Sequence, residues 1–175
     1  ATLSGLASLI ARRSRLAIPR KHADIYGDFP DLPPGDFRAL MKLASRYELT
    51  QDKQLTAEGE PGTKLYFILS GATLVQKGGQ AFVLPPKLFL GEVAFLMDVP
   101  SSATAWLEAG SEVLEWRFDE LRRKCNRSPR FKLALEAAIS IDLARKVSIS
   151  MGKDAVPVAS IPEPMVDSLS AVKRG

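Results

Sequence analysis

One histidine, His22, and one cysteine, Cys125, are all that this 175-residue chain has of either residue. A single cysteine cannot close an internal disulfide or build a cysteine-rich zinc site. A single histidine excludes the usual histidine-based metal clusters and the Ser-His or Cys-His arrangements of nucleophilic catalysis within one chain. The expectation is a protein with no catalytic residues and no metal site. No apolar run approaches the ~20 residues a bilayer-spanning helix needs, and no internal repeat is present. What remains is ordinary for a globular chain, with 46% hydrophobic and 25% charged residues.

Acidic residues are missing from one place. Residues 1–21 hold Arg12, Arg13, Arg15, Arg20 and Lys21 and no Asp or Glu. The rest of the chain has 19 basic and 20 acidic residues, a net of −1, so the overall +4 belongs to this arm. It does not mark a nucleic-acid-binding face, and no nucleic-acid partner is expected. Residues 1–11 are uncharged and mostly small or apolar. They fit either the end of a membrane span or an amphipathic surface helix; the arginines after them sit where the positive-inside rule puts charge on the cytoplasmic side. The chain starts at Ala1 rather than Met, which suggests a fragment. Membrane attachment through a missing N-terminal segment, on the cytoplasmic face, is one expectation.

Along the chain, residues 2–17 read as helical up to Pro19, and residues 22–29 as a short helix closed by Pro30. Asp36 is a candidate N-cap for a helix whose apolar face is Phe37, Leu40, Met41 and Ala44. From Arg46 the pattern becomes short β-prone runs, at 47–50, 54–57, 65–70, 73–77, 81–84, 103–108 and 112–118, separated by Gly and Pro turns. Helical periodicity returns with Asp119 as a cap for a short helix through Cys125. Ser128-Pro129 then opens a long helix through Phe131, Leu135 and Ile139 to about Met151. The Pro-rich remainder reads as disordered. The fold class expected is α+β, mainly β: an eight-stranded jelly roll or double-stranded β-roll flanked by N-terminal helices and a long C-terminal helix. Its divisions are 1–34 as a juxtamembrane arm with helices, 35–151 as the roll with its C-terminal helices, and 152–175 as the tail.

One stretch interrupts the β pattern, from Phe89-Leu90-Gly91-Glu92-Val93-Ala94-Phe95-Leu96 through Pro100-Ser101-Ser102-Ala103-Thr104. Gly91 permits a tight turn, the next six residues fit a helical turn and a half, and Pro100 ends the excursion. Unpaired amides at the start of such a helix can face a phosphate. An acid at Glu92 is also favoured there by the helix dipole alone. Phe89, Phe95 and Leu96 read as core, Trp106 and Trp116 as packing on strands, and His22 and Cys125 as structural or surface residues.

These residues resemble the phosphate-binding cassette of the cyclic-nucleotide-binding domain family, with Gly91, Glu92, Ala94, Leu96, Pro100, Ala103 and Thr104 at the matching positions, and Gly59 and Gly71 in the matching turns. The resemblance covers about residues 35–150. It implies a ligand, cyclic AMP or cyclic GMP, rather than a cofactor, and a site made of Gly91, Glu92, Val93, Ala94, Ser101, Ser102, Ala103 and Thr104. Glu92 would take the ribose 2′-hydroxyl, and the amides after Gly91 and at Ser102 would face the cyclic phosphate. The departure is Ser101, where the family has a phosphate-pairing arginine. A hydrogen bond to a charged group contributes about 1.5–3 kcal/mol, roughly one to two decades in affinity, so weakened or altered binding is expected. Residues 18–26 and 121–147 are also similar to the Popeye domain, although Popeye proteins centre their cassette on an Asp-Ser-Pro triplet and this chain has Gly91-Glu92-Val93. That likeness implies a membrane-tethered regulatory domain.

Two readings follow: a regulatory or sensory module with weak nucleotide binding, and a ligand-free interaction module on the same fold that dimerises through the long helix. The apolar stripe Phe131, Leu135, Ile139 and Leu143 suggests a homodimer. A metal-dependent jelly-roll enzyme lacks its histidines. A transcription factor lacks helices after residue 151.

Overall fold

The computed structural model describes residues 18–151. The arm reading over 1–17 and the tail reading over 152–175 lie outside the described residues. Eight antiparallel strands form two four-stranded sheets, ordered β1-β8-β3-β6 and β2-β7-β4-β5. The strands are β1 (Ser45–Glu48), β2 (Lys53–Thr56), β3 (Lys64–Ile68), β4 (Thr73–Lys77), β5 (Gln80–Leu84), β6 (Phe89–Leu90), β7 (Thr104–Leu107) and β8 (Glu112–Arg117). The helices are α1 (Pro34–Lys42), α2 (Glu92–Met97), α3 (Phe118–Arg127) and α4 (Pro129–Met151). This is the expected β-roll with flanking helices and a long C-terminal helix.

The run Leu65-Tyr66-Phe67-Ile68-Leu69 is apolar without alternation because β3 has no wet face. Leu65, Phe67 and Leu69 point into one buried cluster, and Tyr66 and Ile68 into another. The second cluster fills the space between the two sheets, with Val75, Leu84, Leu90, Ala105 and Val113. The first lies between the β1-β8-β3-β6 sheet and the helices, where Leu114 and Trp116 meet Phe37, Leu40, Phe131, Leu135 and Ile139. Trp116 is 1% exposed, and its indole N–H donates to the Leu40 carbonyl at 2.8 Å, so its polar atom is satisfied inside the core.

Several sequence expectations change here. Of the stripe Phe131, Leu135, Ile139 and Leu143, the first three are buried in the chain's own core at 1%, 0% and 0% exposure, and Leu143 packs against it at partial burial. The face expected to seek a second subunit is therefore covered, and the argument for a homodimer from it falls away. The boundary at 34/35 does not divide the packing. Ile25, Phe29 and Leu32 join the same core as the roll, because Phe29 stacks against Phe37 and Phe67. Arg46 of β1 reinforces this by pairing with Asp24 at 2.7 Å and Glu112 at 2.6 Å, and its hydrogen bonds hold the Asp24 carboxyl below its usual pKa. In place of one helix over residues 22–29 there are two 3-10 turns, Arg20–His22 and Tyr26–Asp28.

Two of the three expected caps also differ in detail. α1 starts at Pro34, where a missing N–H costs nothing, and Asp36 lies in its first turn rather than at the N-cap. α3 starts at Phe118, whose amide still bonds Thr63, so Asp119 falls in the first turn, where its charge favours the helix without capping it. Ser128 does cap α4, its hydroxyl accepting the Phe131 amide at 3.3 Å. Strand β6 was not foreseen; its two residues merge in sequence with the stretch that follows.

Candidate ligand pocket

Between β6 and α2 the chain must turn within one residue. Gly91 does so at φ +82°, and a Cβ there would lie 2.7 Å from the Lys64 carbonyl oxygen. The backbone of the turn thus lies against β3 with no room for a side chain. α2 begins at Glu92, and its first bond runs from the Phe95 amide to the Gly91 carbonyl at 3.1 Å. Phe95 packs on Phe118 at 5.2 Å between ring centroids, which pins the short helix to α3. Asp98, at φ +53°, ends it, ahead of Pro100. The chain returns through Ser101, whose amide bonds Glu60 O at 2.8 Å and whose carbonyl accepts the Gly59 amide at 2.9 Å.

A cavity of about 200 Å³ lies behind this excursion. Gly91, Glu92, Val93, Ala94, Ser101, Ser102 and Ala103 all line it, so seven of the eight residues singled out in the sequence share one wall. Thr104 does not reach it; its hydroxyl accepts the Glu58 amide at 3.0 Å. The other walls are Thr56, Val75, Lys77, Phe82, Leu84, Leu90 and Ala105 from the roll, and Leu143, Lys146 and Val147 from α4. The lining is mainly apolar, and its ionisable residues are Lys77, Glu92 and Lys146. Ser101 is 7% exposed and brings no charge.

Lys146 is the residue that sequence reasoning missed at this site. Its ammonium donates to Glu92 Oε1 and to the Phe89 carbonyl, and lies 3.3 Å from Asp142 Oδ2. Asp142 in turn accepts the Phe89 amide at 3.2 Å. Burial pushes the Asp142 carboxyl up in pKa, Lys146 pulls it down, and the nearby Glu92 charge adds to the rise. The i,i+4 spacing of Asp142 and Lys146 was visible in the sequence. The pairing of Lys146 with Glu92 was not, because it spans 54 residues and depends on how α4 crosses the roll.

The remaining sequence candidates are structural. His22 is 5% exposed, and its pKa is lowered by burial first and by the charges of Lys21 and Arg46 next. Cys125 is buried in the helical core. Phe89 and Phe95 are core, and Leu96 packs against it at partial burial. Among the described residues, no group of three or more His, Cys, Asp and Glu side chains is placed to hold a metal ion. No helix among them is long and apolar enough to cross a membrane.

Comparison with known proteins agrees with this architecture. Residues 47–128 match the family model of the cyclic nucleotide-binding domain. A cyclic nucleotide-binding domain from Methylobacillus flagellatus superposes with a TM-score of 0.61 at 21% identity, over 77% of this chain and 78% of that one. The cAMP-bound PfPKA-R chain superposes with a TM-score of 0.54 at 13% identity, over 84% of this chain and 51% of that one. A protein of Rhodopseudomonas palustris named as a potassium channel is 25% identical over 127 residues, which is 70% of this chain and 31% of that protein. The chain thus spans about a third of that relative's length. With the roll, the Gly91 turn and the cavity behind it in place, residues 47–128 of this chain are similar to the cyclic nucleotide-binding domain family, whose model they match.

Proposed function

We propose that this chain is a regulatory module that binds a cyclic nucleotide, cyclic AMP or cyclic GMP, weakly in the cavity behind Gly91. The observation that carries the reading is the convergence of Gly91, Glu92, Val93, Ala94, Ser101, Ser102 and Ala103 on that one cavity. Glu92 offers the carboxylate for a ribose hydroxyl, and the first amides of α2, which have no partner within the helix, lie beside it. Ser101 and Ser102 contribute neutral donors where the resembled cassette has a cation. The reading has no catalytic step. An alternative, a ligand-free interaction module on the same fold, draws on the same neutrality at Ser101.

Titration calorimetry of the unaltered protein and of Ser101→Arg with cyclic AMP and cyclic GMP tests the proposal. Restoring a cation beside the phosphate is expected to tighten binding at least ten-fold, since a charged hydrogen bond contributes about 1.5–3 kcal/mol. The gain should be larger at low salt, where screening is weaker. A flat titration for both proteins with both nucleotides would leave the ligand-free reading.

The same module is proposed to work at the cytoplasmic face of a membrane. Support comes from the acid-free basic run in residues 1–21 and from the relative named as a potassium channel. The narrower likeness to the Popeye domain rests on residues 18–26 and 121–147 of the sequence. Each basic residue near an anionic lipid surface contributes about 1 kcal/mol. The protein is therefore expected to bind vesicles containing phosphatidylserine in low salt, and the triple replacement of Arg12, Arg13 and Arg15 by Ala should lose most of that binding. Equal sedimentation of the two proteins with vesicles would place the interaction elsewhere.

A further inference from the structure

We infer that Lys146 is a built-in competitor for the ligand, an ammonium carried by α4 that occupies Glu92 and must leave it before a nucleotide hydroxyl can bind there. The inference rests on the nucleotide reading above and adds how access to that site is controlled. Glu92 is the only carboxylate among the described residues lining the cavity, so it is the strong acceptor available to a ligand hydroxyl. It is 6% exposed, and one of its oxygens is taken by Lys146. The same ammonium also holds the Phe89 carbonyl and stands beside Asp142. These contacts fasten α4 to the Phe89–Glu92 stretch, so that Leu143, Lys146 and Val147 wall the cavity. With α4 in place the cavity holds about 200 Å³, below the roughly 300–1,000 Å³ of pockets that take a small molecule. Filling it with a nucleotide therefore requires its α4 wall to move as well as its carboxylate to be freed.

α4 is built to move at this end only. Its first half is anchored by Phe131, Leu135 and Ile139, all 1% exposed or less. Beyond Asp142 its apolar contacts thin out: Leu143 and Ile149 are only partly buried, and Val147 is 54% exposed. The ion pair thus provides much of what holds residues 143–149 against the roll. A hydroxyl-bearing ligand and Lys146 share one acceptor, so occupation by one works against the other.

Lys146→Met tests this, with Lys146→Arg as the variant that keeps the charge. Without ligand, hydrogen exchange at the amides of residues 143–149 should quicken at least ten-fold in Lys146→Met. It should stay unchanged at residues 131–139 and stay close to the unaltered protein throughout Lys146→Arg. In calorimetry, Lys146→Met should bind cyclic AMP at least ten-fold more tightly than the unaltered protein. If Lys146→Met binds more weakly while Ser101→Arg binds more tightly, Lys146 is a ligand contact, and the competitor role is wrong while the nucleotide reading stands. Unchanged exchange at residues 143–149 also overturns the competitor role, and does so without any ligand, even where Lys146→Met loses stability overall. If neither variant nor the unaltered protein titrates with either nucleotide, the nucleotide reading fails and this inference fails with it.

Discussion

Leu135→Ala is expected to lower the free energy of unfolding by about 2–5 kcal/mol and to leave the oligomeric state of the protein as it was. Leu135 is fully buried, between Phe131 and Ile139 on the inner face of α4, in the cluster that also contains Phe37, Leu114 and Trp116. Truncation removes the side chain's transfer free energy and leaves a cavity among residues that cannot all close in. Domains of this size are stable by roughly 5–15 kcal/mol, so the loss is a large share of the total. Urea denaturation followed by circular dichroism gives the energy, and light scattering gives the state. The sequence alone pointed the other way, to a stripe that a partner subunit would cover, for which truncation would dissociate a dimer and spare the fold. A dimer that dissociates at unchanged stability would restore that view.

Gly91→Ala is expected to combine two costs and to abolish the proposed nucleotide binding. A left-handed backbone at φ +82° costs a residue with a Cβ roughly 1–2 kcal/mol. The new Cβ would also stand 2.7 Å from the Lys64 carbonyl oxygen, which belongs to the strand beneath. Forcing strand and turn apart costs about 1–3 kcal/mol and shifts Glu92, the next residue, out of the cavity wall. Gly110→Ala separates the two effects. Gly110 has nearly the same angle, φ +80°, but nothing within 4 Å of its Cβ position. It should show only the backbone cost, with nucleotide titration unaffected. Equal losses in the two variants, measured by urea midpoint, would mean that the close approach to β3 contributes nothing.

Most of the roll was legible because strand and turn signals are local. Glycine and proline punctuation bracketed seven runs, and every strand but β6 falls on one of them with ends displaced by two residues or fewer. The cassette was legible for the same reason: Gly91, Glu92, Val93 and Ala94 are contiguous, and Ser101, Ser102 and Ala103 follow after one short helix. Their convergence on a cavity needs only that α2 be short and that the chain return through Ser101. Proline at position 34 and the Phe118 amide bonded to Thr63 moved two helix starts by three and two residues, because a helix begins where backbone bonding permits and the nearest capping side chain does not decide it.

The destination of α4 could not be read in the same way. Its apolar stripe specifies that Phe131, Leu135 and Ile139 must be buried, and periodicity is equally satisfied by a partner subunit or by the chain's own sheet. Only the crossing of α4 over β8 and α1 chose the sheet. That crossing also carried Lys146 to Glu92 across 54 residues of chain. The local code of hydrophobic period, turn residues and cassette spacing defined a β-roll with one glycine-hinged wall. The charge state and closure of the pocket depend on contacts between residues far apart in sequence, and those exist only once the helix has packed.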